Sequence, residues 1–139
     1  MSDLLKILQE VKRDRDKLFD VVMESLRIIR EKADEIFTEE GLIFLKGIAK
    51  LSFEEGYYEI AEEFYDMALD VCRLLKGEGS IDCAVIYNDA ALVQERKGNI
   101  KSAQVLYKRS LRILMAKYGK NHPFTKTVAE NLRSLRRKR

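Results

Sequence analysis

Apolar residues recur three and four positions apart along the whole chain, and no segment shows the strict alternation of a half-buried strand. The pattern therefore predicts an all-α protein. Because helices of about 15–20 residues fit between the interruptions of this pattern, we expect about six to seven helices joined by tight turns. The interruptions are single glycines or short polar clusters, at Gly41, Gly56, 77–80, 98–99 and 119–123.

The chain also repeats itself. A shift of 42 residues aligns 6 identical residues among the 36 positions from 42 to 77, and all are of kinds that shape a helical hairpin. Alanines let two helices approach closely, glycines end helices, and tyrosine and leucine form a buried stripe. The aligned pairs are Ala49 with Ala91, Gly56 with Gly98, Ala61 with Ala103, Tyr65 with Tyr107, Leu69 with Leu111 and Gly77 with Gly119.

The second copy, residues 84–123, carries the most specific motifs. Residues 88–91 (NDAA) stand where the tetratricopeptide repeat, in the longer form found in kinesin light chains, has Asn-Asn-Leu-Ala. Residues 106–111 (LYKRSL) match its second-helix signature, and a third first helix follows at 123–135. The chain resembles that family over residues 42–135. The resemblance implies stacked antiparallel helix hairpins, a TPR-like α-solenoid, with a concave surface that binds a partner.

The resemblance organises the chain as a single TPR-like domain over residues 1–139. Its N-terminal segment, 1–37, fits the repeat less well. That segment is predicted to form a degenerate hairpin turning near Arg13 and Asp14, although one long capping helix with heptad spacing is the alternative. The remaining segments are repeat 1 at 38–79, repeat 2 at 80–121, a C-terminal capping helix at 122–135 and a basic tail at 136–139.

In this family the first helix of each pair lines the groove, so the resemblance also implies a set of binding residues. An asparagine amide there can both donate to and accept from a peptide backbone, and lysines can neutralise acidic groups. Asp89 and Glu130 replace family asparagines, which weakens this implied recognition. The implied groove residues are Ile43, Lys46, Lys50 and Phe53 in repeat 1, Val85, Asn88, Leu92 and Arg96 in repeat 2, and Thr127 and Asn131 in the last helix.

The net charge of +3 conceals a strong asymmetry along the chain. Residues 39–70 hold 9 acidic and 2 basic side chains, whereas residues 94–139 hold 14 basic and 2 acidic ones. Such polarity concerns partners rather than fold. It predicts a basic C-terminal surface that would bind nucleic acid or an acidic partner. The residues of this predicted surface are Arg133, Arg136, Arg137, Lys138 and Arg139.

No catalytic or metal site emerges from the residue pattern. His122, the sole histidine, lies between Gly119 and Pro123 in a predicted turn between repeats, where proline favours the start of a helix. Cys72 and Cys83 lack CxxC spacing, so buried reduced thiols are expected, without a metal or cofactor. No apolar segment reaches the roughly 20 residues that cross a bilayer. We therefore expect no membrane partner, and we expect a cytoplasmic location.

These features predict a non-catalytic protein–protein interaction adaptor or scaffold. Its partner would be a protein or peptide, acidic in charge, held in the concave groove. Two alternatives stay open. One is a basic C-terminal surface that binds nucleic acid or an acidic partner, and the other is a structural module that self-assembles head to tail.

Overall fold

The structure, a computed structural model, describes residues 3–137, and within that range it contains α-helices and no strand. Seven of these helices have 11 residues or more, which matches the predicted number, and one short helix was not predicted. A 3-10 turn at Arg15–Lys17 separates the first two. The helices are α1 (Asp3–Arg13), α2 (Leu18–Glu31), α3 (Ala33–Ile36), α4 (Glu39–Glu54), α5 (Tyr58–Lys76), α6 (Ile81–Arg96), α7 (Ile100–Tyr118) and α8 (Pro123–Arg137).

The 42-residue repeat is reproduced in the helix boundaries. Helix α6 begins and ends 42 residues after α4, and α7 likewise begins and ends 42 residues after α5. Gly56 and Gly98 follow the two first helices with φ angles of 84° and 85°. In both turns the amide of the next residue donates to the carbonyl five positions earlier, at 2.8 and 2.9 Å. This glycine-dependent turn closes the helix end in the same way in each repeat.

Three residues 42 positions apart cap the first helices. The Thr38 hydroxyl accepts a hydrogen bond from the Gly41 amide at 3.0 Å, and the Ser80 hydroxyl accepts one from the Cys83 amide at 3.2 Å. His122 fills the equivalent place before α8, where its Nδ1 accepts from the amide of Phe124 at 3.1 Å. Each side chain thus satisfies an amide that has no partner within its own helix.

The predicted break at Gly41 is wrong, because this glycine lies inside α4, which begins at Glu39. A Cβ atom at Gly41 would lie 2.0 Å from the carbonyl oxygen of Ile36. Glycine is therefore required here by the close approach of α4 to the last turn of α3. The backbone bends just before α4, at Phe37 and Thr38.

The described chain divides into two compact units, one ending at Leu75 and the other beginning at Lys76. In the first unit, α1 packs on α4, and the two terminal methyls of Leu8 would lie 2.6 Å from a Cβ at Gly47. The N-terminal segment is not one long helix, since α1 ends at Arg13 and the Asp14 carboxylate caps the 3-10 turn that precedes α2, with the short α3 following.

In the second unit, α6, α7 and α8 share one hydrophobic core built around the fully buried side chains of Tyr107 and Leu114. Alanines keep α6 and α7 close, and the Ser110 hydroxyl donates to the carbonyl of Ala84 at 2.7 Å within this core. Cys72 and Cys83, one in each unit, are buried thiols that form no disulfide within residues 3–137.

Candidate functional site

The predicted groove residues of repeat 1 form a stripe along α4, and none of them is buried. Ile43, for example, is 44% exposed although its neighbours on both sides belong to the core. The ring centre of Phe53 lies 5.7 Å from that of Tyr58, so part of the Phe53 ring packs against the first residue of α5. We call this set, Ile43, Lys46, Lys50 and Phe53, the α4 stripe.

The lysines of the α4 stripe have no acidic partner in the part of the chain that the structure describes. Neither Lys46 nor Lys50 forms an ion pair within residues 3–137, and Lys50 lines a cleft of about 320 Å³. Arg15 lines the same cleft but is held by Glu54 at 2.7 Å and Glu55 at 3.3 Å. The hydrogen bond to Glu54 is the largest cause that raises the pKa of Arg15. The local charge excess is therefore carried by Lys50 and its neighbour in the cleft, Lys12.

The predicted groove residues of repeat 2 form the equivalent α6 stripe, which comprises Val85, Asn88, Leu92 and Arg96. Val85, Asn88 and Leu92 are half-buried and Arg96 is exposed. Leu92 also packs against the core shared by α6, α7 and α8, so part of its side chain is buried there and stabilises the fold.

Two of the predicted groove residues contact each other across helices. The amide nitrogen of Asn131 on α8 donates to the amide oxygen of Asn88 on α6 at 3.2 Å. No other hydrogen bond engages either side chain in the described chain. The amide N–H₂ of Asn88 and the oxygen of Asn131 therefore remain as a neighbouring donor and acceptor. Thr127, by contrast, is exposed and turns its hydroxyl back to the carbonyl of Pro123 at 3.0 Å.

The predicted basic surface is partly neutralised within α8. Arg133 lies 3.1 Å from the Glu130 carboxylate, and Arg137 lies 3.7 Å from it. Arg136 is exposed, while Lys138 and Arg139 lie outside the described residues. Glu130, which stands where the family has asparagine, therefore offsets the positive charge of the same helix.

A second basic feature was not predicted from the sequence. A cleft of about 820 Å³ lies between the segment before α6 and one face of α7, and we call it the α7 cleft. A sequence signal existed, because Arg109, Arg112 and Lys117 recur on one face of the periodic segment. The cleft is lined by Lys76, Glu78, Gly79, Ser80, Arg109, Arg112, Ile113, Ala116 and Lys117.

The His122 ring serves the turn in which it lies. Besides capping α8, it stacks on the ring of Tyr118, with the two ring centres 4.0 Å apart. Residues 3–137 contain no group of three or more side chains suited to hold a metal ion. No helix within the same range is long and apolar enough to cross a membrane.

Paired antiparallel helices in a 42-residue register, with a half-exposed stripe on each first helix, define a helical-repeat protein. The family described as tetratricopeptide repeat matches residues 42–116, more than half of the chain. The chain belongs to the tetratricopeptide repeat family. The predicted family and the predicted all-α fold class are thereby confirmed.

The chain is also similar to a solved structure, the crystal structure of BtubC (BKLC) from P. vanneervenii. The TM-score is 0.73 at 22% sequence identity, over 85% of this chain and 47% of the other. This chain thus spans about half the length of the structure it matches, and at that identity the likeness concerns the fold alone. No curated protein matches the chain.

Proposed function

We propose that the protein is a non-catalytic adaptor that binds peptide segments of a partner protein at its α4 and α6 stripes. The observation that carries the proposal is the Asn88–Asn131 amide pair, which leaves one donor and one acceptor side by side on the α6 stripe. A peptide unit presents one carbonyl and one N–H and is complementary to such a pair. Membership of a family of interaction modules supports the same function.

Charge adds a preference to this proposal. Lys46 and Lys50 lie one turn apart on α4 without a carboxylate partner within residues 3–137. A peptide with acidic side chains or a terminal carboxylate would supply that partner. The α4 stripe therefore selects for negative charge, while the α6 stripe recognises the peptide backbone.

We also propose that the protein catalyses no reaction and acts in the cytoplasm. The imidazole of His122 is engaged as a helix cap and ring partner, and Cys83 directs its thiol to the carbonyl of Gly77 at 3.2 Å. Within residues 3–137, neither group is paired with a base or a nucleophile. Nucleic-acid binding by the C-terminal tail and head-to-tail assembly remain alternative predictions.

The experiment selects random peptides on the purified full-length protein and measures the affinity of the enriched peptides by fluorescence anisotropy. Lys46→Glu with Lys50→Glu should weaken acidic peptides about ten-fold or more, because two attractive charges become repulsive. Asn88→Ala with Asn131→Ala should weaken peptides of any charge by a smaller factor. Helicity should stay unchanged in both variants.

A matched control is Lys101→Glu with Lys108→Glu, which makes the same change in charge at two exposed positions of α7 outside both stripes. In this control the affinity of the enriched peptides should stay within about two-fold of the parent value, because salt screens distant charges. Equal losses in the control and the stripe variants would refute the stripe assignment. Failure to enrich any peptide would refute the adaptor function itself.

A further inference from the structure

The α7 cleft concentrates positive charge outside both stripes. Arg109, Arg112 and Lys117 come from one face of α7, and Lys76 comes from the end of α5. Glu78 is the one carboxylate among the lining residues. Four cations against one anion give this cleft a local excess of positive charge, and a concave wall concentrates such a field.

Two of these cations have no charged partner. Neither Arg112 nor Lys117 takes part in an ion pair in the described chain, although opposite charges often pair at helical spacing. The single carboxylate is engaged elsewhere, because the Tyr87 hydroxyl donates to Glu78 at 2.5 Å. Lys76 lies 3.9 Å from the Asp82 carboxylate, at the limit of an ion pair. A negatively charged ligand would therefore find two cations without competing carboxylates.

The third cation, Arg109, is held in place by an aromatic ring. Its guanidinium carbon lies 5.9 Å from the centre of the Tyr87 ring, a distance at which a cation is attracted to the ring face. The Tyr87 side chain is fully buried, and its hydroxyl is fixed by Glu78. Arg109 is thus positioned before any ligand arrives, which lowers the entropy lost on binding.

We propose that the α7 cleft is a second binding site, which takes an acidic linear peptide segment of a partner protein. A guanidinium presents a planar fork of donors that matches a carboxylate, and the cleft offers two of them. Ile113 and Ala116 supply an apolar wall on which an aliphatic side chain of the same peptide packs. A small inorganic anion would leave that wall unused.

Nucleic acid fits this cleft less well. Single strands bind through aromatic side chains on which the bases stack, together with basic groups for the backbone. None of the residues that line the cleft is aromatic, and the nearby Tyr87 is buried beneath Arg109. The combination of two arginines with an aliphatic wall favours side-chain carboxylates beside apolar groups.

The test uses short peptides that carry acidic residues at alternate positions. Peptides that bind the full-length protein are selected, and their affinity is measured by fluorescence anisotropy. Arg112→Glu with Lys117→Glu removes two unpaired cations without breaking an observed contact, so the fold should remain intact. Because each of these cations would form a charge-assisted hydrogen bond with the peptide, affinity should fall about ten-fold or more. Arg109→Gln should also weaken binding, and Lys101→Glu with Lys108→Glu should not.

The site is independent of the proposed function of the first-helix stripes, and the variants separate the two. A peptide bound in the α7 cleft keeps its affinity in Lys46→Glu with Lys50→Glu. If the peptide loses affinity in Lys46→Glu with Lys50→Glu but keeps it in the double variant Arg112→Glu with Lys117→Glu, the α7 cleft is not its binding site. That result overturns the second site and leaves the proposed function of the stripes intact. Tripolyphosphate and a single-stranded oligonucleotide are tested in the same way. If either binds through the same arginines as tightly as the peptides do, the assignment of an acidic peptide is overturned. Selection of no acidic peptide overturns it as well.

Discussion

The hydroxyl of Tyr107 on α7 donates a hydrogen bond to the carboxylate of Glu95 on α6 at 2.9 Å, from a ring that is fully buried between the helices. Burial raises the pKa of Tyr107, and the hydrogen bond to Glu95 raises it further. Both effects favour the neutral phenol in the folded state. The contact therefore links the stability of the second hairpin to alkaline pH.

Replacing Tyr107 with phenylalanine should lower the free energy of unfolding near neutral pH by about 1.5–3 kcal/mol, the usual contribution of a hydrogen bond to a charged group. Above about pH 10 the tyrosine ionises in the unfolded chain while it stays protonated in the fold. The contribution of the raised pKa is thus complete below pH 10 and is lost as the pH rises further. The parent protein should lose stability above pH 10 more steeply than the variant.

Urea unfolding followed by circular dichroism at several pH values between neutral and strongly alkaline would measure this difference. Lysines titrate in the same range but are common to both proteins, so their effect cancels in the comparison. Tyr57→Phe is the control, because Tyr57 is 49% exposed. Parallel pH profiles for the parent and Tyr107→Phe would contradict the assigned role of the buried phenol.

Gly98 ends α6 with a φ of 85°, and an added Cβ at this position would meet no atom within 4 Å. Gly98→Ala should therefore destabilise the protein through backbone strain alone, by about 1–2 kcal/mol. Gly98→Asn should cost less, because asparagine tolerates the left-handed conformation. Gly79→Ala is the matched control, since Gly79 also has open space but no positive φ. Equal thermal stability in the two alanine variants would disprove the turn argument.

His122 should behave as a helix cap rather than as a reactive group. His122→Ala should cost about 1 kcal/mol of stability, because the amide of Phe124 loses its acceptor. His122→Ser should recover most of that loss, as Ser80 caps α6 in the same register. The remaining deficit would report the ring stack on Tyr118. Chemical denaturation of the three proteins measures these differences, and a serine variant as unstable as the alanine variant would argue against capping.

The helical repeat could be predicted because its signals act locally. Gly56 and Gly98 mark turns through their own φ angles, and the small residues Ala84 and Ala91 lie in the core where close helix packing requires them. Gly41 misled the prediction, since a glycine that ends a helix and one that accommodates a neighbouring backbone look the same in a sequence. Only the structure distinguishes them, because a Cβ atom at Gly41 would lie 2.0 Å from the carbonyl oxygen of Ile36.

The candidate sites depended on contacts between distant residues. The resemblance to the family pointed to Asn88 and Asn131 separately, but their hydrogen bond joins positions 43 residues apart. Likewise, charge counting located a basic C-terminal third without showing that Glu130 neutralises part of α8 or that Arg109 lies over Tyr87.

The all-α class, the 42-residue period and the turns could be predicted from the residues, because periodicity, glycine and capping residues act within one or two helical turns. The unpaired cations and the cleft that they line became visible only in the folded chain. Those outcomes depend on how α6, α7 and α8 pack, and packing brings Lys76 and Lys117 to one cleft although they are far apart in the chain.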